Sequence, residues 1–183
     1  MLSEIRKCLA VLLLYALPCM AAPPGSWLYV PFVKQPRNGC GAASIAMVMQ
    51  YWHHQQGKAS GEDSDVQRIQ RALYSRKAHG IYASDLERYF RQHGFSAFVV
   101  QGEWSDLEKH LEKGRPLIVA LKSGSGDAAL HYVVVVGVDT EESLVLVNDP
   151  AERKRLKQER SDFEREWKGA GNWTLLAIPR EGS

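Results

Sequence analysis

The 183-residue chain has three cysteines, and only Cys40 lies beyond the first twenty residues. It stands in Asn38-Gly39-Cys40-Gly41, directly before an apolar run that reads as a buried helix. A thiol at a helix start meets free backbone N–H groups and a partial positive charge, and both favour the thiolate. Gly39 and Gly41 remove side chains on either side, so a substrate backbone can approach. Ala42 and Ala43 keep the next turn narrow. Such a cysteine is either a nucleophile or a small core residue. The local sequence leaves both readings open.

A thiol nucleophile needs a base, and the base needs an orienting group. His53 and His54 lie on the helix that Cys40 opens, roughly 20 Å along it at about 1.5 Å per residue, and are out of reach. His79, His93 and His110 fall at polar loop or helix-end positions and are expected to be solvated. His131 begins the apolar strand HYVVVVGV, directly after the glycine-rich stretch Ser123–Asp127. That stretch is expected to form a mobile rim beside it. Asp149 ends the next strand, so a hairpin of 131–138 and 144–149 sets the two residues side by side. The carboxylate can then hydrogen-bond the His131 ring and fix its tautomer. Asp149-Pro150 also reads as a turn signal, and Asn148 is a second candidate for the orienting role. Acyl transfer further requires donors for an oxyanion. The Cys40 N–H is one, and the side-chain amide of Gln35, five residues upstream, is a candidate for the other.

These residues have to be positioned by their elements. A short strand is expected near Trp27–Phe32 and a largely buried helix from Cys40 to about Gln55. After the polar loop Gly57–Asp63, Ser64 or Asp65 caps a second helix with Val66, Ile69 and Leu73 facing inward. Ser84 is read as the cap of a third helix, with Leu86, Tyr89 and Phe90 as its stripe and Gly94 as its stop. Ser105 and Glu108 are read as the capping box of a fourth, ending at Gly114. Phe95–Val100 and Pro116–Lys122 are β-like. His131–Val138 and Leu144–Asn148 form the hairpin. The charged run Glu152–Arg160 reads as a solvated loop or exposed helix. Phe163 and Trp167 lie one helical turn apart, and Trp173–Ile178 is a last strand. Helices first and strands second, without βαβ alternation, indicate an α+β fold.

The apolar fraction of 45% is enough for a substantial core. With 23 basic and 21 acidic residues interspersed and a formal charge of +2, no overall field argues for nucleic acid or acidic substrates. Residues 1–22 stand apart: Arg6 and Lys7 precede the apolar stretch Cys8–Met20, which gives way to Ala21, Ala22 and Pro23. This is the pattern of a secretory signal peptide cleaved after Ala21 or Ala22. An uncleaved anchor and a lipoprotein acylated at Cys19 are the alternatives, the latter weakened by Pro18. Cleavage removes Cys8 and Cys19, which leaves Cys40 unpaired in a compartment where cysteines normally form disulfides. No metal site is expected, because the sequence has no CxxC pair and His53-His54 lacks helical ligand spacing. No phosphate loop is expected either, since Gly124-Ser125-Gly126 lacks the following Lys-Ser/Thr.

The stretches QPRNGCGAASIAMVMQYW, HYVVVVGVD and LVNDP resemble the bacteriocin-processing, double-glycine peptidase-like group of papain-like cysteine peptidases. The resemblance covers residues 28–178. It implies a papain-like α+β fold, with Cys40 on a central helix packed on a C-terminal antiparallel sheet, in one domain spanning 23–183. It implies Cys40 as nucleophile, His131 as general base and acid, Asp149 as orienter and Gln35 as oxyanion donor, with no cofactor. Members of this kind often form part of a transporter and cut leader peptides after Gly-Gly. This sequence carries no transporter portion, so a stand-alone exported enzyme, periplasmic or secreted and monomeric, is expected, acting on a peptide or protein. Two other functions fit the same residues: a glutathione or γ-glutamyl peptide hydrolase of phytochelatin-synthase-like type, and a non-catalytic module assisting secretion.

Overall fold

The computed structural model describes residues 26–123 and 130–181. The expected signal peptide and the centre of the glycine-rich rim lie outside the described residues. In chain order the elements are β1 (Ser26–Trp27), α1 (Cys40–Gln55), a 3-10 turn (Glu62–Ser64), α2 (Val66–Leu73), α3 (Ala83–Gln92), β2 (Phe95–Gln101), α4 (Trp104–Glu112), β3 (Leu117–Leu121), β4 (His131–Asp139), β5 (Leu144–Asn148), β6 (Leu156–Glu159), α5 (Arg160–Gly169) and β7 (Trp173–Pro179).

The strands form one antiparallel sheet in the order β2-β7-β3-β4-β5-β6, with β1 joining β4 at Gly137 and Val138 beyond the end of β3. Helices cover both of its faces. On one side α1, α2 and α3 bury Ile45, Met49, Ile69, Leu86 and Phe90 against Ile118, Tyr132, Val134 and Leu175. On the other, α4 and α5 bury Leu107, Leu111, Phe163 and Trp167 against Val119, Val133, Val135 and Val147. A strand covered on both faces reads as a continuous apolar run rather than an alternating one. This is why β3 is LIVAL and β4 carries four successive valines.

The same logic applies to α1. Every residue from Gly41 to Met49 is buried, and Tyr51 with them, so the helix is embedded rather than lying on the surface. The Ser44 hydroxyl, the one polar side chain in that run, donates to the Tyr132 carbonyl at 3.2 Å.

Four local expectations change. The strand near 27–32 shrinks to Ser26–Trp27, followed by one further bond to β4, from the Leu28 N–H to the Val136 carbonyl at 2.6 Å. The third helix starts at Ala83 with Tyr82 at its cap, so Ser84 lies within the first turn and caps nothing. The fourth starts two residues earlier than expected, closed by a reciprocal Glu103–Asp106 box in place of Ser105–Glu108. The charged run 152–160 contains β6, an edge strand whose pairing with β5 is made by the backbone and needs no apolar side chain.

Candidate active site

Cys40 is the first residue of α1, and Gly39 at the cap offers no side chain to its free N–H groups. No acidic residue occupies the first turn. The donors at this helix start are therefore uncommitted, and their partial positive charge acts on the thiol. The turn that delivers Cys40 is closed by a Gly39 N–H to Pro36 carbonyl bond of 2.9 Å. A Cβ on Gly39 would lie 2.6 Å from Pro36 Cγ, so glycine is a packing requirement there.

His131 opens β4, with its side chain one-third exposed, and stands close enough to Cys40 for the sulfur to raise its pKa. Its Nε2 lies 2.8 Å from Asp149 Oδ1. With Nε2 engaged by the carboxylate, Nδ1 is the ring nitrogen that serves the sulfur. Burial alone would lower the His131 pKa, but the hydrogen bond to Asp149 and the negative charges of Asp149 and Cys40 outweigh it and raise it to about 10. These partners thus favour the protonated ring.

Asp149 is buried and acts in two ways at once. Its Oδ1 accepts from His131 and also from the Ala151 N–H at 2.8 Å. One oxygen thus both closes the Asp149-Pro150 turn and bonds the His131 ring. Burial would push its pKa up, yet the bond and charge of His131, with the N–H groups of Ala151 and Glu152, hold it below the usual carboxylate value. Asn148 is not the orienter: its Nδ2 donates to the Val30 carbonyl at 3.2 Å and its Oδ1 accepts from the Arg155 N–H at 2.9 Å. It fastens the extended 28–34 segment to the hairpin end.

Gln35 is placed by the same turn, its backbone N–H donating to the Pro150 carbonyl at 3.0 Å. Its side-chain Oε1 is buried and has no hydrogen-bond partner within the protein. Buried polar atoms without partners are few in folded chains and gather at functional sites. Sequence reading missed this role of Pro150, which links the Gln35 and Asp149 segments through one residue. It also missed Tyr132, whose hydroxyl pKa is raised by burial and further by the nearby Cys40 and Asp85 charges. Its place beside His131, on the strand that meets Cys40, was the available signal.

The other histidines stay away from this cluster. His53 lies in the last turn of α1, 3.7 Å from Asp63. His93 stacks on Tyr89 and His79 is exposed. His110 is half-buried, contrary to the solvated position expected, and burial lowers its pKa. Among the described residues no group of three or more potential ligands is placed to hold a metal. No helix among them is long and apolar enough to cross a membrane.

The model of the Peptidase_C39-like family matches residues 27–175, from β1 through most of β7. The chain belongs to this family. It is a cysteine-type peptidase with the fold that the family shares. Comparison with curated proteins gives no match. Among solved structures, a putative C39-like peptidase from Bacillus anthracis aligns over 85% of this chain and 98% of its own, with a TM-score of 0.66 and 19% identity. The peptidase domain of Streptococcus ComA, a bifunctional ABC transporter of a quorum-sensing pathway, aligns over 83% and 100%, with a TM-score of 0.63 and 19% identity. A double-glycine-motif protease from an AMS/PCAT transporter, solved with its leader peptide, aligns over 85% and 95%, with a TM-score of 0.62 and 24% identity. At these identities the likeness is one of fold. It shows that the chain shares the helix-and-antiparallel-sheet fold of these C39-type peptidase structures.

Proposed function

We propose that the protein is an exported thiol peptidase in which Cys40, His131, Asp149 and Gln35 carry the reaction. The observation that carries this reading is the His131 ring, held by Asp149 at 2.8 Å and facing Cys40 at an uncapped helix start. The Cys40 thiolate attacks the carbonyl carbon of a peptide bond. Negative charge moves to the carbonyl oxygen, where the Cys40 N–H and the Gln35 amide donate to it. The His131 imidazolium passes its Nδ1 proton to the departing amine as the C–N bond breaks, leaving a thioester. The now neutral ring takes a proton from water, which attacks the thioester and releases the acid product. The thiolate–imidazolium pair then re-forms. Asp149 keeps the ring oriented and its positive charge favourable throughout.

A peptide substrate is supported by the leader peptide bound to the transporter-derived relative. Export, whether to the periplasm or beyond the cell, is supported by the composition of residues 1–22. The test is a comparison of Cys40 alkylation by iodoacetamide with that of free cysteine, alongside peptide turnover by wild type and Cys40→Ala. The reading expects faster labelling of Cys40 and complete loss of turnover in the variant. Labelling no faster than the free amino acid, or turnover that survives the substitution, overturns it.

A further inference from the structure

A formal charge of only +2 conceals how cations are distributed about the cluster. One cavity, of about 540 Å³, opens between the turn before Cys40, the end of α2 and the 74–80 segment. Arg37, Arg71 and His79 line it beside Asn38, Gln70 and Tyr74, with no carboxylate in its wall. A second, of about 500 Å³, lies on the Asp149 side, where Lys34, Arg153, Lys154 and Arg155 face a single acid, Glu152.

The second cavity is tied to the Asp149 segment by its backbone, and the first is bounded by Arg37 and Asn38 of the turn that delivers Cys40. Asp149 N–H donates to the Arg153 carbonyl at 3.1 Å, and Arg155 N–H to Asn148 Oδ1 at 2.9 Å. Lys34 and Arg37 flank Gln35 closely in sequence, and each enters a different cavity. Among the described residues, the Arg–carboxylate pairs lie elsewhere, on Arg68, Arg88, Arg91, Arg160 and Arg165. None of the described carboxylates comes within ion-pair distance of Lys34, Arg37, Arg71, Arg153 or Lys154. Unneutralised cations around a concave site attract an anionic ligand and repel a cationic one.

We infer that this peptidase selects acidic peptides, with Asp or Glu side chains near the cleaved bond seated in the Arg37–Arg71 and Lys34–Lys154 cavities. The inference rests on Cys40 being the reacting thiol. Two separate cavities suit carboxylates on an extended peptide better than the evenly spaced phosphates of a nucleic-acid strand.

The test uses tripeptidyl chloromethyl ketones carrying Glu, Gln or Lys at one position, each alkylating Cys40 as chloride leaves. At low ionic strength the Glu reagent is expected to react on the order of tenfold faster than the Lys reagent, the gap shrinking as salt is added. Two double variants follow: Arg37→Gln with Arg71→Gln, and Lys34→Gln with Lys154→Gln. At least one is expected to close the gap by slowing the Glu reagent and speeding the Lys reagent. Whichever does so marks the cavity that receives the acyl-side residues. The salt dependence is read on wild type, so it stands even where a variant fails to fold. Equal rates for the three reagents, a gap unmoved by salt and by both variants, or an oligonucleotide that shields Cys40 while the reagents show no preference, each overturns the inference. If Cys40 reacts with no reagent, and with iodoacetamide no faster than free cysteine does, the proposed function itself falls and takes this inference with it.

Discussion

The Gln35 N–H donates to the Pro150 carbonyl at 3.0 Å, so the segment bearing the amide is hung from the residue next to Asp149. The Gln35 and Asp149 segments are therefore held together at one backbone contact. A change in the Asp149-Pro150 turn is transmitted to Gln35 without passing through Cys40. Gln35→Ala removes the amide but leaves that backbone bond intact. Loss of one oxyanion donor costs roughly 10²–10³ in kcat. The expected outcome is a fall of that order in peptide turnover, with the iodoacetamide rate at Cys40 nearly unchanged, because alkylation builds no oxyanion. A parallel fall in both rates would assign Gln35 to the support of the turn instead.

Asp149→Asn tests the electrostatic part of the site. The His131 pKa, pushed down by burial, is raised to about 10 by its bond to Asp149 and by the charges of Asp149 and Cys40. Activity that needs the imidazolium as proton donor is present below that value and is lost as pH rises through it. Replacing the carboxylate removes one of the two negative partners, so the alkaline limb of the kcat/KM profile is expected to move to lower pH. The measurement is that profile for wild type and variant on one peptide. An alkaline limb at the same pH in both would show that Asp149 does not set the His131 charge.

The same shifts bear on stability. His131 has a folded-state pKa above its ordinary 6.5, so its contribution is complete below about 6.5 and is lost as pH rises towards about 10. Asp149 lies below its ordinary 3.8, so its contribution is present above 3.8 and is lost as pH falls through its folded value. Thermal unfolding should therefore show Tm declining between pH 6.5 and 10, with a smaller slope in His131→Gln. Equal slopes in the two proteins would remove His131 as the source.

Much of this arrangement was legible in the residues, because the decisive signals were local. α1 begins at Cys40 as expected, since the Gly-Cys-Gly turn and the unbroken apolar run both demand a buried helix there. The hairpin that sets His131 by Asp149 followed from two apolar runs around a polar turn. The Asp65 cap was equally readable, its side chain accepting from the Arg68 N–H at 2.8 Å. What escaped was decided elsewhere in the fold. β6 has no apolar pattern because β5 supplies its ladder. At α3 and α4 the serines looked like caps, but the helix starts were displaced towards Ala83 and the buried Trp104. The tie between Gln35 and Pro150 joins residues far apart in sequence, and no local pattern encodes it.

Gly39 offers the most direct test of how tightly the turn before Cys40 is built. Its φ is −110°, a value open to any residue, so backbone strain is not the constraint. Space is. A Cβ there would sit 2.6 Å and 2.7 Å from Pro36 Cγ and Cδ and 3.0 Å from its carbonyl oxygen. The proline ring cannot swing aside as the end of a flexible chain would. Gly39→Ala therefore displaces the 36–39 turn, and with it the Gly39–Pro36 bond that delivers Cys40 to its place. Overpacking of this kind costs about 1–3 kcal/mol. For a domain of this size each kcal/mol lowers Tm by about 2–4 °C. The expected result is a drop of that scale in a thermal melt, together with a slower alkylation of Cys40 at temperatures where the variant is fully folded. Retention of both the wild-type Tm and the wild-type alkylation rate would show that the turn yields freely, and that close packing against Pro36 does not position the thiol.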